Sequence, residues 1–383
     1  MANGKFAGGD GSINNPYLIE DGYDLNFVRN NLTASYKLIK NVDLTQVCNE
    51  SSDGTGWTPI PAFRGNFDGN GYVVRNLFIN RIANNQALFT STRGGAITNL
   101  GVFSFNIVGG TSYCAGIVGQ MTTQECLIEN CLAVGKILAT GDIGGLAGRM
   151  DGGRIINSYS EVDITCTGNN IGGITSVLNN TYGVIKNCFY GGTITGGGTG
   201  RSGVVGTVTA GTVTESYFDS TKNPLTGVGS KTKAEMETPA TFDKWTDQYY
   251  NFEKKLWVLR TGVYPRLFYT EATKYFIFVN NGYKTYRNQT WIDVSVTFPS
   301  ANVFDQHGIS DNELAMIPRF KWNELREFGK FELVASTDKF VINRTSVKKD
   351  MVVDAQISDA VVLKTTIDFS QFGDSINRIR ILQ

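Results

Sequence analysis

Apolar residues in the first half of the chain come in triplets and quartets cut by Gly, Asn, Thr and Ser, and one such phrase recurs at near-constant spacing. It stands as Ala87-Leu88-Phe89, Gly116-Ile117-Val118-Gly119, Gly145-Leu146-Ala147-Gly148, Gly173-Ile174-Thr175 and Gly203-Val204-Val205-Gly206, with first residues 29, 29, 28 and 30 positions apart. A second phrase keeps step with it. An aliphatic residue, a spacer and an asparagine occur as Val74/Asn76, Ile97/Asn99, Ile128/Asn130, Ile155/Asn157 and Ile185/Asn187, and Val213/Glu215 is a degenerate last copy. Two phrases on one period define a repeat.

Helical repeats of this length need long 3.6-periodic runs rich in Ala, Leu, Glu and Lys, and the chain has none there. Short apolar runs between turn residues predict short strands instead. Three strands with their turns use up roughly 29 residues, one circuit of a parallel β-solenoid, and five or six circuits at a strand spacing of about 4.8 Å make a rod about 25 to 30 Å long. In such a stack the Ile, Val and Leu positions form an interior column. The glycines then serve corners of positive φ, and each asparagine can hydrogen-bond its equivalents above and below. A Gly-rich β-sandwich with chance spacing is the alternative.

Before the repeat, residues 8–44 predict a strand at Pro16-Tyr17-Leu18-Ile19, a short helix over 24–32 with Leu25, Val28 and Leu32 apolar, and a strand at Tyr36-Lys37-Leu38-Ile39. A helix there would cover the open end of the first circuit. Asp68-Gly69-Asn70-Gly71 is a turn signal. After the repeat, residues 220–270 lose Gly and gain Trp245, Tyr249, Tyr250, Phe252, Trp257, Tyr264 and Phe268. Two readings stand for this set: a plug over the last core layer of the solenoid, or an aromatic platform for sugar faces at Trp245, Tyr249, Tyr250 and Trp257.

From Thr273 the repeat is gone. Lys274–Val279, 283–286 and 291–294, separated by Asn-rich turns, predict consecutive antiparallel strands. Further strands are expected at 331–335, 339–342, 361–367 and 376–381, and a short helix at 320–328. The expected organisation is a solenoid with its caps over 1–270 and a smaller, mostly antiparallel β domain over 271–383 that serves docking or oligomerisation. At 383 residues two domains are the natural expectation.

Charge then narrows the partners. With 35 basic and 35 acidic residues and no basic stripe, a nucleic-acid surface is not indicated. No run approaches about 18 consecutive apolar residues, so no membrane insertion is expected. Residues 1–11 lack the apolar run of a secretory signal, and export by that route is not expected. All six cysteines lie in the first half without zinc spacing. Cys131 and Cys188 would sit two circuits apart, roughly 9 to 10 Å by the strand spacing, too far for a disulfide whose Cα atoms lie within about 7 Å. Buried, reduced thiols are expected, which suits folding in a cytoplasm.

Several motifs in order resemble the GLUG-repeat proteins: Gly9-Asp10-Gly11-Ser12, Asn15-Pro16-Tyr17, Tyr36-Lys37-Leu38 with Val42-Asp43-Leu44, Trp57-Thr58-Pro59-Ile60, Phe67-Asp68-Gly69-Asn70-Gly71, and Gly-Gly-Leu-Ala-Gly over 144–148. The ending Lys231-Thr232, Met236, Thr241-Phe242-Asp243-Lys244-Trp245, Trp257 and Tyr264-Pro265-Arg266-Leu267 is similar to theirs. The resemblance covers about residues 8–268. It implies a right-handed parallel β-helix of bacterial-surface or phage proteins, and no catalytic residues. Lys274-Tyr275-Phe276-Ile277, Gly282 to Tyr286, Trp291-Ile292-Asp293-Val294 and the phrases around Thr366 and Ile376 resemble, over about a third of the second domain, tail and baseplate proteins of phages of Gram-positive bacteria.

Candidate chemistry is sparse. The only histidine is His307, and no Gly-x-Ser-x-Gly elbow accompanies it. Because glycosidases need two carboxyl groups about 5 to 10 Å apart, Asp68, Glu125, Glu129, Asp142, Asp151, Glu161, Asp163 and Glu215 are the residues a polysaccharide depolymerase would use. Corners are also where solvated acids sit, and Asp-x-Asp calcium loops are absent. The expected function is therefore a virion structural protein of a tail, baseplate or fibre, assembled in the host cytoplasm, with no cofactor, metal or catalytic residue. Its expected partners are other virion proteins, further copies of itself with a trimer favoured, and host cell-wall polysaccharide. A depolymerase and a secreted adhesin are the alternatives.

Overall fold

Ile97, Ile128, Ile155 and Ile185 stand over one another in register, with Val213 beyond them. The four isoleucines are fully buried. In this computed structural model, which describes residues 6–245, 249–250, 254–267, 274–279, 282–287, 290–294, 309–310, 325, 329–334 and 339–344, that column is one wall of a parallel β-solenoid of about six turns. The repeat is therefore a stack. Its earlier members are Tyr17, Tyr36 and Phe67. Val74 is not among them: it pairs with Val42 and Val102 on another face, because the Asp-Gly-Asn-Gly turn that follows Phe67 takes the corner at which the later circuits place their Ile-x-Asn phrase.

Three faces make the circuit. The first carries the isoleucine column on Asn66–Asp68, Ala96–Thr98, Leu127–Glu129 and Arg154–Ile156. The second is built from Gly101–Gly110, Leu132–Ala139 and Tyr159–Cys166, which pair in parallel. The third holds the other phrase, with Phe89, Val118, Ala147, Thr175 and Val205 in register. Thr175–Lys186 and Val205–Thr214 run through the corner and serve the third face and then the first. Along each strand alternate residues turn inward. In Tyr159–Cys166, Ser160, Val162, Ile164 and Cys166 are buried, while Asp163 and Thr165 are exposed. Burying each large apolar side chain in this way contributes about 1.5 to 3 kcal/mol.

The corners divide their labour differently from the expectation. Asn99, Asn130, Asn157, Asn187 and Glu215 take the left-handed conformation, with φ between 44° and 54°. Asparagine tolerates that region because its short amide can bond locally. It also forms the ladder: Asn99 Nδ2 donates to Asp68 Oδ1 at 2.9 Å, Asn130 to Asn99 at 3.0 Å, and Asn187 to Asn157 at 3.0 Å. Glycines of the other phrase are there for space. A Cβ on Gly145 would lie 2.0 Å from Ser160 Oγ and 2.1 Å from the Gly173 carbonyl oxygen.

Asp21 caps the N-terminal helix Gly22–Phe27 by accepting from the amides of Tyr23 and Asp24. The helix continues as a 3-10 turn, Val28–Asn30. Leu25 and Val28 are fully buried against the core that contains Leu38 and Val42, so this element covers the first circuit. The aromatic segment after the repeat lies elsewhere than expected. Met236, Phe242, Trp245, Leu256, Trp257, Tyr264 and Leu267 cluster with Leu132, Tyr159 and Phe189, which are the outward-facing residues of the second face. That segment covers a flank across several circuits. It does so because the outer column there is itself apolar, and a column of Leu, Tyr and Phe facing water is costly; the last circuit's Val204, Val205 and Phe218 are buried as well, with Leu225 of the same segment packed against their cluster.

The chain divides into Met1–Thr270 and Glu271–Gln383. In the second unit Lys274–Val279 pairs antiparallel with Gly282–Arg287, which pairs with Thr290–Val294. Its other edge joins Gly329–Val334, and that strand joins Lys339–Arg344. Of the expected helix at 320–328 only Leu325 is described, buried and outside any regular element; the strands at 361–367 and 376–381, and His307, lie outside the described residues. Among the described residues no helix is long and apolar enough to cross a membrane.

Candidate functional site

Trp245 and Trp257 were candidates for a sugar platform, and they are 0% and 4% exposed. Their ring centroids are 4.6 Å apart. Trp257 lies 6.3 Å from Tyr159 and 6.2 Å from Phe189, and Trp245 Nε1 donates to the Glu215 carbonyl oxygen at 3.0 Å. Both indoles are thus packed among other rings as part of the cover. Tyr249–Tyr250 forms a short antiparallel pair with Lys254–Lys255.

Most of the candidate carboxylates of the solenoid are engaged within the fold. Asp68 accepts from Asn99 and from the Asn70 amide, with Lys37 at 3.7 Å. Asp142 accepts from Asn170 at 3.0 Å, and Asp163 from Thr193 at 2.7 Å. Asp151 gathers Gln120, Arg149 and Asn179. Glu161 is bound by Arg266, and Glu215 by Lys244 and Tyr217. Hydrogen bonds from Lys244 and Tyr217 hold the Glu215 carboxyl below its ordinary value, and those around Thr123 do the same for exposed Glu125. Glu129 ends the strand Leu127–Glu129. A glycosidase pair needs one carboxyl kept protonated, and lowered values at Glu125 and Glu215 work against that.

Among the described residues, charged side chains converge on a concavity at the N-terminal shoulder. It measures about 590 Å³ and is framed by the capping helix, the loop 50–58 and Arg81. Arg29 extends from the end of the helix and donates through Nη2 to Asn26 Oδ1 and to the Thr58 carbonyl oxygen, both at 2.8 Å. Its guanidinium lies 5.4 Å from the Trp57 ring, and burial lowers its pKa. Trp57 is anchored beneath by Nε1 donating to the Leu88 carbonyl oxygen at 3.1 Å. Arg81 reaches Thr58 Oγ1 at 3.1 Å and Asp53 at 3.7 Å. Hydroxyls of Ser51 and Thr55 donate to Asp53 at 2.5 Å each, which holds its carboxyl well below the usual range. Tyr23 donates its hydroxyl to Glu50, and that bond raises the phenol pKa.

Two guanidinium groups and two carboxylates leave this cavity with no net charge but with donors and acceptors on all sides. Such a lining suits a neutral, polyhydroxylated ligand better than an anion or a metal ion. Reading the sequence did not single out Arg29, Glu50, Asp53 or Arg81. The available signal was the polar stretch Asn49 to Gly56, which interrupts the apolar pattern just before Trp57.

No family model matches the chain. A protein of Evansella cellulosilytica that carries the name Gly-rich membrane protein is 43% identical over 86 residues, 21% of this chain and 10% of that one. Halomucin of Haloquadratum walsbyi is 35% identical over 107 residues, 26% of this chain and 1% of its own length. This chain therefore spans only a small part of either relative. Among solved structures, a Bacteroides ovatus chain crystallised under the name immunoglobulin A1 protease aligns at 16% identity and a TM-score of 0.37, covering 70% of this chain and 96% of that one. That likeness is too loose to carry an argument.

Proposed function

We propose that this protein is a non-catalytic display component, a virion structural protein of a tail, baseplate or fibre whose β-helix engages host-surface glycan. The observation that carries the reading is the contrast within the solenoid unit. Its acids serve as rungs for amides and a hydroxyl of neighbouring circuits, and Asp68 also for Lys37, whereas the shoulder cavity offers a charge-balanced, hydrogen-bonding lining. In this reading the sugar seat is the cavity at Tyr23, Arg29, Glu50, Asp53 and Arg81. Likeness of the motifs to GLUG-repeat proteins, and of the second unit to phage tail proteins, supports the virion setting. The partners are other virion proteins and further copies of the chain, with a trimer favoured.

A second reading, a cell-surface adhesin, draws on the names of the two relatives, a membrane protein and a mucin. Both readings use the same glycan seat and differ in the particle that carries it. Isothermal titration with host cell-wall polysaccharide tests the seat. Binding that is lost in Glu50→Gln with Arg81→Gln, in a protein with unchanged circular dichroism, supports it; undiminished binding removes it. Steady release of reducing ends would overturn the non-catalytic reading in favour of a depolymerase. Finding the chain by mass spectrometry in purified particles, against the cell envelope, decides between virion and adhesin.

A further inference from the structure

The N-terminal cap carries three acids in five residues, Glu20, Asp21 and Asp24, and one oxygen of each carboxylate lies within 4.8 Å of those of the other two. Acids this close are ordinary on an exposed surface. Asp24 is not exposed: its accessibility is 0%. Its Oδ2 accepts from the Glu20 amide at 3.1 Å, while Oδ1 is buried with no hydrogen-bond partner. A buried, half-satisfied carboxylate costs free energy unless a cation or a proton completes it. The neighbours are Asp21, whose Oδ1 caps the helix, and Glu20, whose Oε2 pairs with Lys40 Nζ at 2.9 Å. The Lys40 ammonium pairs with Glu20, and Asp24 Oδ1 itself is left without a hydrogen-bond partner. Three carboxylates against one ammonium leave a local charge of −2.

We propose that Glu20, Asp21 and Asp24 bind one divalent cation of the calcium type, which ties the capping helix to the first circuit. Hard oxygen donors select Ca²⁺ or Mg²⁺ over softer metals. Calcium takes oxygens at about 2.3 to 2.6 Å, so an ion central to the three reaches donors separated by up to 4.8 Å. Magnesium, at about 2.0 to 2.1 Å with strict octahedral geometry, would require the cluster to contract around a rigid N-cap. Water completes the shell on the Glu20 and Asp21 side, where both residues are half-buried. The signal was absent from the sequence reading because Glu-Asp-x-x-Asp has no calcium-loop spacing; the helix brings Asp24 back onto Glu20 one turn later.

The full chain, stripped with a chelator and dialysed, is titrated with CaCl₂ by calorimetry and melted with and without calcium. One site per chain and an upward shift in Tm with calcium, larger than with magnesium, are expected. Asp24→Asn should weaken calcium binding more than about tenfold while leaving the metal-free Tm unchanged or higher, since the orphaned charge is gone. Asp21→Ser keeps an N-cap side chain and should lose calcium affinity as well, which separates the ion from the fold. No calcium-dependent heat or Tm shift at millimolar calcium, or a shift that persists in both variants, would overturn the site and leave Asp24 as a buried acid neutralised by a proton. Polysaccharide binding at Glu50 and Arg81 is read separately, so either result stands without the other.

Discussion

Arg266 Nη1 lies 2.9 Å from Glu161 Oε1, a contact that spans 105 residues of sequence. Each side chain is less than a third exposed. The pair marks where the segment after the last circuit is strapped onto the outside of the second face. Nearby, Tyr264 donates its hydroxyl to buried Asp219, and Phe189 lies edge-on to Tyr264 at 6.0 Å. The strap is held by aromatic burial, with the polar contacts fixing its register.

That division predicts unequal losses. Trp257→Ala removes a buried ring from the centre of the cluster and should cost about 3 to 5 kcal/mol. Arg266→Ala breaks a partly solvated pair and should cost about 1 kcal/mol or less. Urea unfolding of the two variants checks this. Equal losses would mean that the ion pair, not the ring cluster, carries the strap.

The asparagine corners yield a second prediction. Asn187 is 1% exposed, has a φ of 53°, and donates to Asn157. Asn187→Gly loses the ladder bond but keeps the left-handed corner, whereas Asn187→Ala loses both. The alanine variant should be the less stable by about 1 to 2 kcal/mol, the cost of that conformation for a residue with a Cβ. Melting temperatures of both variants measure the difference; the reverse order would mean that glycine's chain entropy outweighs the corner.

Most of the fold was legible because a stack repeats its constraints. Five in-phase copies of Gly-Ile-Val-Gly and Ile-x-Asn gave the circuit length and the inward residues, and the isoleucine column follows from them. What failed was local or lateral. Val74 opens the same aliphatic-x-Asn pattern as Ile97 but lies on another face, since three positions do not say which corner follows. The asparagines form the expected ladder but also take the positive-φ corners assigned to the glycines, because a sequence does not distinguish a glycine needed for φ from one needed to make room. The flank cover was misplaced on the end because outward Leu132, Tyr159 and Phe189 look, letter by letter, like core. The shoulder cavity was missed since Arg29, Glu50 and Arg81 meet only when the helix, the loop and the next strand's end are folded together.

The cysteines report the same stacking through pH. All six are unpaired and buried, and burial pushes the thiols of Cys114, Cys131 and Cys188 up to about 12 from an ordinary 9.0. Between those values the unfolded chain has released protons that the folded chain keeps, so the unfolded state binds fewer and stability falls as pH rises. The contribution is fully present below about pH 8.5 and is lost progressively toward 12. Ser158 and Ser216 already occupy the corner site of Cys131 and Cys188, bonding the carbonyls of Ile156 and Thr214. The double variant Cys131→Ser, Cys188→Ser should therefore fold and lose less stability than the native chain between pH 8 and 10, measured by urea midpoints. An identical pH slope in both would show that these thiols ionise as freely folded as unfolded.

Stacking also dictates how core defects combine. Ile155 touches the circuits of Ile128 and Ile185 through its register partners, while Ile97 and Ile185 are separated by two intervening layers. In a quasi-one-dimensional stack, energy is shared between neighbours and little further. Each Ile→Ala change should cost about 2 to 5 kcal/mol. Ile155→Ala with Ile185→Ala opens one merged cavity into which the remaining side chains can relax together, so the pair should depart from additivity by about 0.5 kcal/mol or more. Ile97→Ala with Ile185→Ala should add within about 0.5 kcal/mol, as independent sites do. Double-mutant cycles by chemical denaturation read both numbers. Strong coupling of the distant pair would mean that the interior behaves as one continuous core, and the layer-by-layer account of the solenoid would then fail.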